Sequence, residues 1–401
     1  MKEAFIADGI RTPIGSFRGA LSPVRADDLA AHVLRELIAR NPNIPMASIE
    51  DVIMGCTNQA GEDNRNVARM ALLLAGIPYT VPGETVNRLC ASGMSAIINA
   101  SRAVKMGDGN VFIAGGIEHM TRGPWVISKT SQAYGQDAQM VDSCFGWRFI
   151  NPKMHELYGT DPMGLTAENL VDMYGISRDD QDKFAYNSQV KATAAQKSRR
   201  LAEEIIAVPI NQKKGDTIFI KEDEFIKPNT TIEKLNELKP AFKKGGSVTA
   251  GNSSGLNDGA AAVFVVSAEA IKEYNIIPKA RIVSSAVVGV EPRIMGLGPV
   301  EASKKALLKA GLTLNDIDVI ELNEAFAAQS LTCIRQLGMA DNDPRINPNG
   351  GAIALGHPLG MSGTRIVYSA ALELHKQNKK YALATMCIGL GQGYAVIIER
   401  V

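Results

Sequence analysis

The sequence lacks the features that would place it in a membrane or in an oxidising compartment. Its longest mainly apolar stretch, Ala260 to Ala268, spans about nine residues, far short of the roughly 20 that a spanning helix needs. The start of the chain has no apolar core segment, so no secretory signal is expected. The five cysteines are an odd number without a CxxC pair, which disfavours a disulfide framework or a zinc ribbon and favours free thiols in the cytoplasm.

An excess of charge is missing as well. Lys and Arg total 43 residues against 42 for Asp and Glu, and this balance argues against nucleic acid as the main partner. The chain of 401 residues is nevertheless 45% hydrophobic, so it can bury a sizeable core divided over two or three units.

Short apolar segments alternate with amphipathic segments, which predicts an α/β protein. Strands are predicted at residues 4–7, 52–54, 111–114, 263–266, 282–287, 319–322, 382–386 and 395–398. Helices are predicted at residues 27–39, 64–74, 94–106, 303–310, 324–337 and 362–375. The polar segment 121–246 is richer in Pro and Lys and is predicted to lie outside the core.

The two ends of the chain resemble each other at one constant offset. IEDVI at 49–53 matches DIDVI at 316–320 with an offset of 267 residues, and the same offset places Cys90 on His357. GMS at 93–95 then matches GMS at 360–362. We interpret this as an internal duplication that puts a reactive residue before a helix in each half. Packing around a pseudo-twofold axis would bring the two helix starts to one site.

The segment NRLCASGM at 87–94 places Cys90 directly before a predicted helix. Unpaired N–H groups and the helix dipole favour a thiolate there, which predicts a lowered pKa and a nucleophile. The alternative is a buried, inert cysteine.

His357 follows a glycine-rich segment, GGAIALG at 350–356. Glycines let the backbone come close to a ligand, and histidine is suited to activating a thiol or polarising a carbonyl near neutral pH. A tight turn or a phosphate-binding loop is the alternative, although no GxGxxG or GxxxxGK[ST] fingerprint occurs here.

Three further segments carry candidate chemistry. In CIGLGQG at 387–393, alternate glycines leave N–H groups free for an oxyanion and Cys387 is a candidate proton-transfer group, although a simple strand-end turn is equally compatible. Asn323 is either a helix N-cap or the holder of a water or a carbonyl oxygen. The turn-rich segment 247–259 fits either close approach by a long thin ligand or an interdomain loop.

Together NRLCASGM, NEAFAAQ from Asn323, GGAIALGHPLGMSGTR and CIGLGQG resemble the thiolase family of acetyl-CoA acyltransferases, over essentially the whole chain. The resemblance implies the thiolase fold, with duplicated βαβαβ halves in five αβαβα layers and an inserted loop domain. The expected units are an N-terminal half (1–120), a loop domain with CoA-binding and subunit contacts (121–246), the last strand of the N-terminal half (247–270) and a C-terminal half (271–401).

The resemblance also implies roles for individual residues. Cys90 resembles the acyl-accepting nucleophile, Cys387 the acid/base thiol, and His357 the thiol activator and oxyanion donor. Asn323 resembles the holder of a water in that oxyanion hole, and the N–H groups of Cys90 and Gly389 resemble a second hole. The residues expected to face the CoA are Ser254, Met163, Phe326, Ala250 and Lys227.

The implied reaction is reversible CoA-dependent cleavage of a 3-oxoacyl-CoA to acetyl-CoA and a shorter acyl-CoA. Coenzyme A is then a co-substrate, no bound cofactor or metal is expected, and the assembly is a homodimer or homotetramer. Segments 61–78 and 146–154 resemble the 3-oxoadipyl-CoA branch of aromatic degradation, in which Arg148 or Lys153 would pair with a distal carboxylate. General fatty-acid β-oxidation and acetoacetyl-CoA thiolases are alternatives, although Pro162 stands where biosynthetic acetoacetyl-CoA thiolases tend to carry His.

Three other functions compete with this interpretation. A ketosynthase or hydroxymethylglutaryl-CoA synthase shares the fold but uses one Cys, and the second thiol in CIGLGQG argues against it. A Cys/His/Asn hydrolase does not explain the paired cysteines. A non-catalytic acyl-CoA-binding protein would need neither both thiols nor both glycine-rich segments.

Overall fold

The computed structural model describes residues 2–401. The strands are β1 Ala4–Arg11, β2 Gly15–Ser16, β3 Asp51–Gly55, β4 Gly83–Val86, β5 Val111–His119, β6 Trp125–Ile127, β7 Met140–Asp142, β8 Val208–Ile210, β9 Ile218–Ile220, β10 Asn257–Ser267, β11 Ala280–Gly289, β12 Val319–Leu322, β13 Tyr381–Ile388 and β14 Gln392–Arg400. The α-helices are α1 Ala26–Arg40, α2 Val67–Leu74, α3 Ser92–Met106, α4 Pro152–Tyr158, α5 Met163–Tyr174, α6 Arg178–Lys197, α7 Ile232–Asn236, α8 Ala268–Glu273, α9 Gly298–Ala310, α10 Ala327–Gln336, α11 Ala352–Leu355 and α12 Leu359–Lys376. Short 3-10 turns lie at Met46–Ser48, Met120–Arg122, Leu201–Glu203, Pro292–Leu297 and Leu314–Asp316.

The central sheet consists of two half-sheets with the same strand order. The path runs β12-β13-β14-β11-β1-β10-β5-β3-β4, and only two residue pairs of β1 and β11 join the halves. The N-terminal half-sheet is therefore β4-β3-β5-β10-β1. The C-terminal one is β12-β13-β14-β11, with a bridge from Ile346 to Ile320 in the place that β4 takes beside β3. The duplication predicted from the sequence is confirmed.

Helices form three layers around these half-sheets. One buried cluster joins α3 and α12 to the inner faces of both half-sheets. A second joins α1 and α2 to the outer face of the N-terminal half-sheet, and a third joins α9 and α10 to that of the C-terminal half-sheet. Because each sheet must bury two apolar faces, the result is the predicted αβαβα sandwich.

The predicted core elements are all present, mostly longer than predicted. Strand β12 has the predicted bounds, and the predicted strand at 263–266 is the buried centre of the eleven-residue β10. Helix α2 begins three residues later than predicted because the Asn66 side chain accepts a hydrogen bond from the Arg69 N–H and caps it there. Strand β4 was not predicted, since GETV is short and only partly buried.

The polar segment between residues 121 and 246 forms no strand of the central sheet. It contains the two-stranded pairs β6-β7 and β8-β9 together with helices α4 to α7. Helix α6 begins where the Ser177 hydroxyl accepts a hydrogen bond from the Asp180 N–H. None of the helices in residues 2–401 combines the length and apolarity needed to cross a membrane.

Candidate active site

The two central helices bring both duplicated motifs to one place. Helices α3 and α12 begin at Ser92 and Leu359, again 267 residues apart. They cross where glycine is required, since a Cβ on Gly93 would lie 2.6 Å from the Gly360 carbonyl oxygen. Cys90 and His357 each precede their glycine by three residues, so both lie at the same end of the crossing.

Cys90 lies on a tight turn that is locked by its own hydrogen bonds. The Ser92 hydroxyl accepts from the Arg88 N–H at 2.8 Å and donates to the Leu89 carbonyl at 2.7 Å. Leu89 has φ +46°, a left-handed conformation that leucine seldom adopts. Backbone strain of this kind is typical of functional turns, and here it immediately precedes a half-buried thiol.

The expectation that the helix terminus lowers the Cys90 pKa is wrong. Burial raises the pKa of this thiol to about 11, against the opposing effect of the Gly389 and Cys90 N–H groups. The negative charge of Glu118 raises it further. The thiol is therefore protonated at neutral pH and needs a base to become a nucleophile.

His357 has the protonation state of such a base. Burial, with a smaller effect of the Arg365 charge, lowers its pKa to about 3, so the imidazole is neutral. Its Nδ1 lies 2.6 Å from the Ser362 oxygen, and the Ser362 hydroxyl itself donates to the Pro358 carbonyl. The serine oxygen must therefore accept from Nδ1–H, which makes Nε2 the acceptor nitrogen of the ring. Ser362 was not predicted from the sequence, where its only signal is its place in the repeated GMS.

Asn323 lies at the end of β12, directly beside the imidazole. Its Nδ2 is 3.4 Å from His357 Nε2, and its N–H donates to the Thr385 carbonyl on β13. Its buried Oδ1 has no hydrogen-bond partner among the described residues. The alternative role as a helix N-cap is wrong, because α10 begins only at Ala327.

Cys387 and Gly389 enter the same site from the end of β13. Burial raises the pKa of the Cys387 thiol, and a negative charge on Cys90 raises it further, so the two thiols are close enough to interact electrostatically. The chain then turns through Leu390 and Gly391, both with positive φ, which lets the Gly389 N–H point at the Cys90 sulfur. Two cysteines almost 300 residues apart in the sequence thus share one site.

Three of the residues expected to face CoA form a wall next to this centre. Met163 begins α5, and its sulfur would lie 3.7 Å from a Cβ placed on Gly389. The Phe326 ring meets the Phe242 ring edge-on at a centroid distance of 6.1 Å. The Ser254 N–H donates to the Ala325 carbonyl, next to Phe326.

The other two, Ala250 and Lys227, are exposed on the rim of this wall. Ala250 lies in the turn between Thr249 and Asn252. The Lys227 Nζ lies 5.0 Å from the centroid of the Phe225 ring, and that ring packs against Gly255. Lys227 is thus near the loop that carries Ser254, with its ammonium group open to solvent.

Comparison with known proteins identifies the family. The model for the thiolase N-terminal domain matches residues 4–269, and the model for the thiolase C-terminal domain matches residues 276–400. The chain belongs to the thiolase family. It is similar to a 3-oxoadipyl-CoA/3-oxo-5,6-dehydrosuberyl-CoA thiolase of Escherichia coli, with 57% identity over 401 residues and complete coverage of both chains. A β-ketoadipyl-CoA thiolase of Acinetobacter baylyi is 55% identical over 401 residues, also with complete coverage of both.

The fold of this thiolase agrees with a solved relative. The crystal structure of the Bacillus anthracis acetyl-CoA acetyltransferase matches with a TM-score of 0.93 and 38% identity, covering 100% of this chain and 99% of that one. The predicted thiolase fold is therefore confirmed. The protein is an acyltransferase that cleaves 3-oxoacyl-CoA by transfer to CoA, so the hydrolase and the non-catalytic binding protein are excluded.

The thiolase site is braced by Glu118, a carboxylate that was not predicted from the sequence. Its oxygens accept from the N–H groups of Thr57, Asn58 and Gly360 at 3.1, 3.1 and 2.9 Å. Glu118 thereby joins the N-terminal half to the start of α12, three residues after His357. Burial raises its pKa to about 7.

Cys56 and Asp63 lie beside Glu118, and their ligand atoms are within 4.8 Å of one another. These residue types can bind a metal ion, but their carboxylate oxygens already accept hydrogen bonds from the backbone. Asp63 Oδ1 accepts from the Gly61 N–H at 2.9 Å, and Glu118 accepts hydrogen bonds from three N–H groups. We interpret the cluster as a brace of the loop after β3.

His119, the last residue of β5, is buried at the end of that strand. Its Nδ1 is 3.3 Å from Asp258 Oδ1 on β10, and its Nε2 is 3.2 Å from the Leu21 carbonyl. The side chain is buried, and its Nδ1 makes no hydrogen bond to Asp258 despite that distance.

The two cations proposed as carboxylate partners differ in their surroundings. Arg148 is half-buried and bonded to Asn58 and Ser143. Lys153 is exposed on α4.

Proposed function

We propose that this thiolase cleaves 3-oxoadipyl-CoA with CoA, releasing acetyl-CoA and succinyl-CoA, in the degradation of aromatic compounds. The substrate is supported by the relatives of 55 and 57% identity, whose names contain 3-oxoadipyl-CoA or β-ketoadipyl-CoA. The mechanism is supported above all by one observation: Cys387 and the Gly389 N–H, from the end of the chain, meet Cys90 from the N-terminal half.

The first step is formation of a tetrahedral adduct. The Nε2 of His357 accepts the proton of the Cys90 thiol, and the resulting thiolate attacks C3 of the substrate. The oxyanion that forms at C3 is held by the N–H groups of Cys90 and Gly389. Each fixed donor of this kind contributes about 3 kcal/mol, or roughly 10²-fold in rate.

The second step breaks the C2–C3 bond. The adduct collapses to a succinyl thioester on Cys90, and the electron pair of the broken bond passes to the enolate of acetyl-CoA. The enolate oxygen accepts a hydrogen bond from the newly protonated His357 Nε2–H and another from a water whose second hydrogen is held by Asn323 Oδ1. This role is supported because the buried Asn323 Oδ1 has no hydrogen-bond partner among the described residues. Cys387 then protonates C2, and acetyl-CoA leaves.

The third step transfers the acyl group to CoA. The Cys387 thiolate takes the proton of the incoming CoA thiol, and the CoA thiolate attacks the acyl-Cys90 thioester. Collapse releases succinyl-CoA, and His357 returns its proton to Cys90. Only one of the two neighbouring thiols is ionised at a time, as their mutual charge repulsion requires. Thioester chemistry and two thiols suffice, with CoA as co-substrate.

For binding of CoA we propose the wall already described. The pantetheine arm would lie along Met163, Phe326, Ser254 and Ala250. Met163 and Phe326 would offer apolar side chains, and the loop with Ser254 and Ala250 would bring its backbone close to the ligand. Lys227 would meet a CoA phosphate, since its ammonium group is exposed at the rim of that wall.

For the organisation of the chain we propose the units 1–120, 121–246, 247–270 and 271–401, with the second providing subunit contacts. Support comes from the exposed apolar side chains of the β6-β7 pair, of which Trp125 is 71%, Ile127 66% and Met140 61% exposed. The assembly would be a homodimer or homotetramer. Five free cysteines support a cytoplasmic location.

A substrate panel tests the proposed function. The purified enzyme is assayed at fixed CoA with 3-oxoadipyl-CoA, acetoacetyl-CoA and a long 3-oxoacyl-CoA. The highest kcat/KM is expected for 3-oxoadipyl-CoA. A preference for the long chain would assign the protein to general β-oxidation, and a preference for acetoacetyl-CoA would assign it to short-chain metabolism.

A further inference from the structure

The proposed substrate ends in a carboxylate that has to enter the site. After attack at C3 only two methylene groups separate this carboxylate from the carbonyl carbon held by Cys90. A carboxylate taken out of water is stable only when paired with a cation or several hydrogen-bond donors. The protein should therefore present an unpaired cation near the acyl end of the site.

Arg148 is an unpaired cation. Its Nη1 donates to Asn58 Oδ1 at 3.0 Å and to the Ser143 carbonyl at 2.7 Å, and its Nη2 makes one long contact of 3.4 Å to the Asn58 carbonyl. All these acceptors are neutral. No carboxylate lies within 4.0 Å of the guanidinium among residues 2–401. The charge is thus oriented by two good hydrogen bonds but not neutralised.

The arrangement leaves one edge of the guanidinium available. Nη1 uses both of its hydrogens, whereas Nε–H has no acceptor among the described residues and Nη2 has only its long contact. The Nε and Nη2 hydrogens form the side-on fork that binds a carboxylate with two parallel hydrogen bonds.

Residues next to Arg148 and next to its partner Asn58 link it to the Cys90 turn and to the Gly389 loop. On one side, Asn58 follows Thr57, whose carbonyl accepts from the Asn87 side chain, three residues before Cys90. On the other side, Trp147 Nε1 donates to the Asp161 carbonyl, two residues before the Met163 that borders Gly389.

Two neighbouring arginines already have partners. Arg293 pairs with Asp161 at 2.9 Å. Arg88 donates to Ser95 and to Gln392, on the helix side of the Cys90 turn. Lys153 is exposed on α4, and holding a flexible, hydrated ammonium group against a ligand would cost side-chain entropy.

We infer that Arg148 binds the distal carboxylate of the substrate through its free Nε/Nη2 edge and thereby selects dicarboxylic 3-oxoacyl chains. This inference rests on the proposed function and narrows the two candidate cations of the sequence analysis to one. Arg148 takes no part in bond making, so it sets specificity without acting in catalysis.

The test combines one substrate change with one side-chain change. 3-Oxoadipyl-CoA is compared with 3-oxohexanoyl-CoA, which has the same six carbons and a methyl group in place of the carboxylate. For Arg148→Met we expect kcat/KM to fall on the order of 10²-fold with 3-oxoadipyl-CoA and to change less than about threefold with 3-oxohexanoyl-CoA. Lys153→Met is the matched control, and its ratio of the two values should equal that of the wild type.

A structural role of Arg148 would lower both values together, and that result would overturn the inference. Retained preference for 3-oxoadipyl-CoA in Arg148→Met would overturn it as well, while leaving the proposed function intact. A wild-type enzyme that favours 3-oxohexanoyl-CoA would refute the proposed substrate itself. Should Arg148→Met not fold, Arg148→Lys provides the same comparison, with a smaller selective loss expected because the charge stays and the fork is removed.

Discussion

The Nδ1 atom of His357 lies 2.6 Å from the hydroxyl oxygen of Ser362, in the first turn of α12. The serine hydroxyl donates to the Pro358 carbonyl at 2.8 Å, so its oxygen can only accept. The pair therefore fixes the histidine tautomer, with the hydrogen on Nδ1 and the lone pair on Nε2. A supporting hydrogen bond of this type commonly orients a catalytic imidazole.

Ser362→Ala should therefore impair proton transfer more than binding. We expect kcat to fall at least 10-fold with KM changed by less than about threefold, because the imidazole loses the partner that selects its tautomer. Rapid-quench measurement of Cys90 acylation checks this. Ser101→Ala is the control, since Ser101 is a buried serine of α3 remote from His357 in the sequence. An equal loss in both variants, or an unchanged acylation rate in Ser362→Ala, contradicts the tautomer argument.

Replacement of the two cysteines proposed for catalysis should block different steps of the reaction. Cys90→Ala is expected to abolish acyl-enzyme formation, because no other thiol has the Gly389 N–H directed at it. Cys387→Ala should still accept an acyl group from acyl-CoA, yet neither cleave nor condense, because C2 lacks its proton donor. Mass spectrometry after incubation with labelled acyl-CoA distinguishes these states. Full cleavage activity in either variant would refute the assignment.

His357 should also make stability depend on pH. Its folded pKa of about 3 is below the unfolded value of about 6.5, so the unfolded state takes up a proton first as the pH falls. The contribution of neutral His357 to the free energy of unfolding is present above pH 6.5. It is lost as the pH falls toward 3, by up to about 1.4 kcal/mol per pH unit. Between pH 6.5 and 5 the wild type should lose about 2 kcal/mol from this group.

Urea unfolding at pH 6.5 and pH 5 measures this loss. His357→Gln cannot gain the proton, so the component of about 2 kcal/mol should disappear from its pH dependence. Identical pH dependence in the variant and the wild type would show that His357 is not the titrating group.

The crossing of α3 and α12 should tolerate no side chain at Gly93. A Cβ there would overlap Thr364 Oγ1 and lie 2.6 Å from the Gly360 carbonyl oxygen. Gly93→Ala should lower the free energy of unfolding by about 2–3 kcal/mol and reduce kcat, since it pushes the Cys90 and His357 turns apart. Gly289→Ala is the matched control, because the nearest atom to its Cβ would be 3.9 Å away. Equal stability of the two variants would contradict the close crossing.

Most of the central elements could be predicted from local patterns. Strand β12 has its predicted bounds, and α3 begins two residues before the predicted start. These predictions succeed because apolar periodicity reports which face of an element is buried. Strand β4 was missed because its partly buried residues GETV show no apolar pattern and its place is set by pairing with β3.

The residues of the candidate site were likewise predicted only in part. Cys90, His357, Asn323 and Cys387 were predicted because each lies in a motif at the end of a strand or the start of a helix. The pKa of Cys90 was predicted in the wrong direction, since burial outweighs the helix terminus. Glu118 and Ser362 were not predicted. The Glu118 carboxylate binds backbone N–H groups, and the Ser362 hydroxyl oxygen accepts from the His357 ring; both contacts are visible only in the folded chain.

The amino-acid sequence by itself determined the duplicated α/β architecture, the family and the identity of the reactive side chains, since these follow from periodicity, offset and motif. Only the tertiary structure decided that the Cys90 thiol is protonated, that His357 carries its hydrogen on Nδ1, and that Arg148 keeps one edge free. The physical reason is that protonation and pairing depend on burial and on neighbours that lie far away along the chain.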